Sequence, residues 1–160
     1  MTNEQTLVPV LAVDDDSSDL AELPIGNDLG FLLAKLHATG SQLTNVTLAE
    51  FGLKERSFSV LALACWDRHP TQREMAALLT LDPSQIVALI DELESAQLVE
   101  RKPGIMDRRQ RILLATAKGR RVYSDARAAV GETERAQLGA LTPEEAETVK
   151  SLLRKVLLHT

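Results

Sequence analysis

The stretch from Thr71 to Leu114 constrains the fold most, because two short helical patterns are followed at once by a change of period. Thr71 and Glu74 stand three apart, the spacing of a capping box in which a hydroxyl and a carboxylate satisfy orphan backbone N–H groups. Met75, Leu78 and Leu79 give the helix they open an inward side. Asp82 followed by Pro83 is the next start signal, an acceptor at the N-cap and a proline at N1, where its missing N–H costs nothing. Ile86, Leu89, Ile90 and Leu93 then make the i, i+3, i+4, i+7 stripe of a helix packed on one side. Two short helices joined by so tight a turn are a helix-turn-helix candidate. After Leu98 the period changes: Val99 begins a short strand, Pro103 and Gly104 turn, and Ile112 to Leu114 return, a hairpin with a long polar tip.

Helices flank this unit. From Asp28, the positions Leu29, Leu32, Leu33, Leu36 and Leu43 follow helical spacing, weakened but not forbidden by Gly30 and Gly40. A second helix is expected from about Lys54 to Asp67, ended by His69 and Pro70. Beyond the hairpin, one helix spans about Ala117 to Leu138. The last opens at Thr142, Pro143 and Glu145 and carries Val149, Leu152, Leu153, Val156 and Leu157 on one side. Residues 1 to about 24 mix small, polar and acidic types without a sustained period and read as a flexible acidic tail. The fold class is mainly α with a small β-hairpin.

A chain of 160 residues supports one main core. Its single cysteine cannot close an intramolecular disulfide, so a reducing compartment, the cytoplasm, is expected. No segment reaches the roughly 20 apolar residues of a membrane span. The apolar run Leu7 to Val13 follows Glu4, precedes three aspartates and lacks a basic n-region, so it is not a signal peptide. The net charge of −5 counts, as a sum, against nucleic acid. Its distribution does not. From Met1 to Leu53 one lysine, Lys35, faces eight carboxylates, a balance of −7. From Leu98 to Arg121 eight cations face only Glu100 and Asp107, a balance of +6. A partner meets a local field, so such a basic arm suits a polyanion.

The order of these elements, with Thr71-Gln72-Arg73-Glu74-Met75-Ala76, Leu81-Asp82-Pro83-Ser84-Gln85, Leu89-Ile90-Asp91-Glu92-Leu93-Glu94, Gln97-Leu98-Val99-Glu100-Arg101, Asp107-Arg108-Arg109 and Leu114-Ala115-Thr116-Ala117-Lys118-Gly119, resembles the MarR family of bacterial winged-helix transcription regulators from about Leu29 to Leu158. The resemblance implies a MarR-like domain over 25–160, with a winged helix-turn-helix lobe over about 54–115 and dimerisation helices over about 28–50 and 117–158. It also implies a homodimer that sets two lobes on successive major grooves of a pseudo-palindromic operator. A small effector, often phenolic or otherwise aromatic, is expected to release the DNA.

In a helix-turn-helix the start of the second helix enters the major groove. Here that start presents Ser84, Gln85 and Ala88. Gln85 suits a bidentate pair with adenine, the Ala88 methyl a thymine methyl, and Ser84 a base or phosphate, unless it is only a helix-start residue. Thr71 and Gln72 are placed for a phosphate at a helix N-terminus, with Thr71 as a plain cap the other reading. At the wing tip Asp107 and Arg109 fit an Asp-x-Arg pattern, in which the aspartate braces an arginine for a narrow minor groove. Arg108, Arg111 and Lys102 would serve phosphates. A solvated basic turn is the alternative, and the position straight after a reader helix weighs against it.

One departure is informative. From Asp82 to Gln97 there is no Lys or Arg, whereas family members often carry arginine at the positions of Ala88 or Glu92, so a guanine-reading contact is missing. Asp91, Glu92 and Glu94 are expected to turn from DNA towards basic residues of the hairpin, shifting affinity to the wing. Losing the Asp91 carboxylate should therefore matter little.

Cys65 reads as an inert helical thiol. His37, Trp66 and Arg68 are the candidate effector residues, at the cleft the resemblance implies. His37, His69 and His159 are scattered, no Cys/His cluster has metal spacing, and no phosphate loop or nucleophile elbow occurs, so neither a metal, a cofactor nor an enzyme is expected. The leading reading is a DNA-binding repressor. Its rival is a winged-helix protein that has lost operator binding and serves protein interaction or ligand sequestration.

Overall fold

The computed structural model describes residue 20, residues 22–104 and residues 110–158, and the chain divides into two compact units, 1–38 and 39–160. Eight elements follow in order: α1 (Leu29–Ala49), α2 (Glu55–Ala64), α3 (Gln72–Leu79), α4 (Pro83–Ser95), β1 (Val99–Pro103), β2 (Arg111–Ala115), α5 (Ala117–Gln137) and α6 (Pro143–Leu157). The expected mainly helical class with one hairpin is observed. In the first unit a turn closed by Gly26 N–H to the Leu23 carbonyl (2.9 Å) leads to Asp28, whose carbonyl accepts the first helical bond from Leu32.

In the second unit the end of α1 sets the start of α2. Asn45 Oδ1 accepts the Glu55 N–H at 3.0 Å, and Ser41 donates to the Glu55 carboxylate. Thr47 and Thr133 hydroxyls meet at 2.8 Å, joining α1 to α5. The core gathers Leu48, Leu61, Met75, Ile86, Ile90, Leu93, Val99 and Leu113, all fully or nearly fully buried. It contains the predicted inward stripe of α4 except Leu89, which is only half-buried at its edge. The two strands pair antiparallel, Val99 with Ala115 and Arg101 with Leu113, and a bridge from Thr71 to Ile112 fastens the hairpin to the start of α3.

Three points differ from the sequence reading: Leu78, expected inward on α3, is exposed; Pro103, expected in the hairpin turn, ends β1 opposite Arg111; and α2 ends early. Helix α2 stops at Ala64 with Cys65 as its cap, three residues short of Asp67. Residues 66–69 turn instead: Trp66 N–H reaches Leu63 O, His69 N–H reaches Trp66 O, and His69 takes a left-handed φ of 49°. The proline at 70 denies its predecessor the helical region, so the unwinding propagates backwards.

Three helices end alike. Leu53, Leu81 and Leu98 send their N–H groups back to Leu48, Ala76 and Leu93, each closing over a left-handed residue, Gly52, Thr80 and Gln97. This is the Schellman closure, which favours glycine. Only the first site has it. Thr80, β-branched and exposed at φ 52°, carries strain in the turn between α3 and α4. Thr80→Gly is therefore expected to stabilise the fold by about 0.5–1 kcal/mol, the relief of the left-handed penalty less glycine's backbone entropy. Denaturant unfolding would check this, and a loss of stability would refute it.

Candidate nucleic-acid interface

Helix α3 begins in a complete capping box. Thr71 Oγ1 accepts the Glu74 N–H at 3.2 Å, and the Glu74 carboxylate accepts from Thr71 N–H at 2.7 Å and from its hydroxyl at 2.8 Å. The Thr71 backbone bond, then the hydroxyl, holds the Glu74 pKa below its ordinary value. After the turn at 80–82, Asp82 adopts an extended N-cap conformation, Pro83 occupies N1, and Gln85 Oε1 accepts the Asp82 N–H at 3.2 Å. Ile86, Ile90 and Leu93 face inward, which leaves Ser84, Gln85 and Ala88 exposed on the outer side.

The Thr71–Ile112 bridge brings Thr71 and Gln72 to Arg111. With Arg73, Pro83 and Val87 they line a cleft of about 760 Å³ between α3, the start of α4 and the second wing strand. Arg73 was not singled out in the sequence, although its place one residue after Gln72 in the first turn of α3 was a usable signal. Lys102, on β1, is half-exposed and pairs with Glu100 at 2.8 Å. Asp107, Arg108 and Arg109 lie outside the described residues.

Several cations of the basic stretch have internal work. Arg101 reaches back to α4, its guanidinium pairing with Asp91 at 2.5 Å and with Glu94, while its backbone N–H donates to Glu94 at 3.0 Å. The expectation that α4 carboxylates meet hairpin cations thus holds for Asp91 and Glu94. Partial burial opposes the Arg101 charge, but the bonds to Asp91 and Glu94 outweigh it and hold its pKa above the ordinary value. Lys118 donates to the Ala96 carbonyl at 2.8 Å and Arg120 to the Cys65 carbonyl at 3.3 Å, each at the C-terminal end of a helix, where a cation complements the dipole.

This arrangement of reader helix, strands and flanking helices has solved counterparts. A MarR-family transcriptional regulator from Rhodococcus sp. RHA1 aligns over 85% of this chain and 96% of its own, at 36% identity and a TM-score of 0.80. The chain belongs to the MarR family. CouR from Rhodococcus jostii RHA1, solved with p-coumaroyl-CoA, matches with the same identity and coverage and a TM-score of 0.77. A mutant MarR from E. coli complexed with operator DNA matches at 26% identity, over 87% of this chain and 97% of that one, with a TM-score of 0.68. No family model and no curated protein matches. As a MarR-family transcriptional regulator the protein is not an enzyme.

Among the residues proposed from the sequence for the MarR-family effector, Trp66 and Arg68 come together, the guanidinium carbon lying 5.1 Å from the indole centroid. With Pro70, Ala77 and Leu78 they line a concavity of about 530 Å³. His37 is exposed on the part of α1 that belongs to the first unit. Burial raises the Cys65 pKa against the opposing pull of Arg120, which keeps the sulfur a thiol, in line with an inert cysteine. Among the described residues no group of His, Cys, Asp and Glu is placed to hold a metal, and no helix is long and apolar enough to cross a membrane.

Because the folded-state pKa of Glu74 is depressed, its contribution is present above the unfolded carboxylate pKa and fades as pH falls through the folded value. The stability gap between the wild type and Glu74→Gln should therefore be open at neutral pH and close in acid. Denaturant unfolding at several pH values measures it, and a gap independent of pH would contradict the capping role.

Proposed function

We propose that this MarR-family regulator is a cytoplasmic homodimeric repressor that reads a pseudo-palindromic operator and is released by a small aromatic effector. The observation that carries the DNA-reading part is the α3–turn–α4 unit, whose outer side exposes Ser84, Gln85 and Ala88 beside the cleft of Thr71, Gln72 and Arg111. In this reading α4 supplies base contacts in the major groove. Arg109, braced by Asp107, enters the minor groove, and Arg108, Arg111 and Lys102 serve phosphates. The dimer reading draws on α6, which buries no residue and leaves Leu152, Val156 and Leu157 exposed, and on the exposed Leu43 and Val46 of α1. Apolar faces of this kind are stabilised by a second protomer. The effector reading draws on CouR, solved with p-coumaroyl-CoA, and on an indole–guanidinium pair suited to an aromatic anion. His37, Trp66 and Arg68 are its proposed contacts.

Selecting bound duplexes from random sequence tests the reading and yields the operator. The logarithm of the affinity for that operator should fall linearly with log salt, as counterion release requires, and Arg109→Ala should cost about 1–3 kcal/mol. No selective binding at low salt by an intact dimer would favour the rival module that has lost its operator, the reading that the lack of Lys or Arg from Asp82 to Gln97 suggests. A separate measurement addresses assembly: Val156→Glu should shift sedimentation from dimer towards monomer, and an unchanged sedimentation coefficient would count against the α6 interface.

A further inference from the structure

We infer that Arg101 is a positioning residue, a latch that fixes the first wing strand to the reader helix and acts on DNA binding through the direction of the wing. Resting on the DNA-binding reading above, this gives an internal role to a cation that the charge sum over Leu98 to Arg121 counts towards the basic arm. The geometry is specific. One planar guanidinium spans Asp91 and Glu94, three residues apart on α4, and the Arg101 N–H takes Glu94 as its acceptor, so three bonds cross from one β1 residue to one side of one helix. Lysine, a point charge, would not span both carboxylates. The guanidinium side chain is only 22% exposed, which leaves little of it for a phosphate.

The latch sits where the hairpin needs it. Below Arg101 the strands are anchored in the core by Val99 and Ala115, and level with it by Leu113. Above it Lys102 and Pro103 are exposed, and the described β1 residues there have the ladder to Ile112 and Arg111 and a neighbouring ion pair. A two-stranded ribbon is marginal in water by itself; here β2 is held to α3 through the buried Ile112 and its bridge to Thr71, and Arg101 is what holds β1 to α4. Residues 105–109 join the two strands in sequence. The acidity of α4, a liability towards phosphate, thus has a mechanical use.

The sign of a charge change separates the latch from a direct contact. Asp91→Ala/Glu94→Ala removes two negative charges from the reader helix and adds good helix formers at partly exposed sites, so a purely Coulombic surface would bind the selected operator more tightly. The latch predicts weaker binding, by about tenfold, with an unchanged salt slope. Asp91→Ala alone keeps both Glu94 bonds and should change little. Arg101→Lys keeps the charge and should also weaken binding, with the slope preserved. Amide hydrogen exchange of the free protein is the second arm: the Arg101 N–H should exchange about tenfold faster in the double variant while the melting temperature stays near the wild-type value. Unchanged exchange, operator binding by the double variant as tight as wild type or tighter, or a slope reduced by about 0.9 per lost contact in Arg101→Met would each overturn the latch. Should the wild type select no duplex, the DNA-binding reading fails, and the exchange arm still decides whether the latch holds the strand.

Discussion

The backbone of Leu98 joins the reader helix, the wing and the long helix α5. Its N–H closes α4 by returning to Leu93 O at 2.9 Å, and its carbonyl accepts from Thr116 N–H at 3.0 Å and from the Thr116 hydroxyl at 3.3 Å. The same hydroxyl donates to Gln97 O at 2.8 Å and accepts the Gly119 N–H at 3.0 Å. At Gly119 a Cβ would collide with the Leu98 carbonyl, so only glycine lets the first turn of α5 come so close. One residue thereby ties together the end of α4, the start of β1, the end of β2 and the start of α5. Displacing α5 must strain hydrogen bonds to α4 or carry α4 with it.

Charge reads differently once these contacts are known. Of the eight cations between Leu98 and Arg121, Arg101 and Lys102 pair with carboxylates, while Lys118 and Arg120 hold helix-end carbonyls. Arg111 faces the cleft. The sum of +6 in that stretch therefore overstates the field offered to a polyanion, because half of its cations are already engaged within the lobe. Partition along the chain located the basic region; side-chain pairing decides how much of it faces outward.

Much of the fold was legible because its signals are local. Thr71 with Glu74, Thr142 with Glu145, and the prolines at 83 and 143 mark helix starts through bonds spanning three residues, and each appears where its spacing required. The end of α2 was harder, since Trp66 to His69 lack any residue that forbids helix until Pro70 is considered backwards through His69. Arg101 was harder still. That a hairpin cation would meet the α4 acids followed from their wasted position on a reader helix, but which cation depends on the register by which β1 leaves α4. The roles of Asp107, Arg108 and Arg109 rest on pattern alone, because they lie outside the described residues.

If Gln85 reads a base as proposed, stability and reading compete on one side chain. In the free protein its amide oxygen is tied to the Asp82 N–H at 3.2 Å, completing the start of α4. A bidentate pair with adenine needs both the amide oxygen and the amide nitrogen, so a Gln85 that reads a base must first release its own helix. The cost is small because the bond is long and exposed, and a phosphate near the N-terminus of α4 would accept the freed N–H in its place. Base reading and phosphate seating at α4 would then be coupled through one amide. A helix without arginine has little else with which to enforce register: Ser84 offers a hydroxyl and Ala88 a methyl. In the proposed reading such a helix would discriminate mainly among A·T pairs, and the aim of the wing would matter correspondingly more.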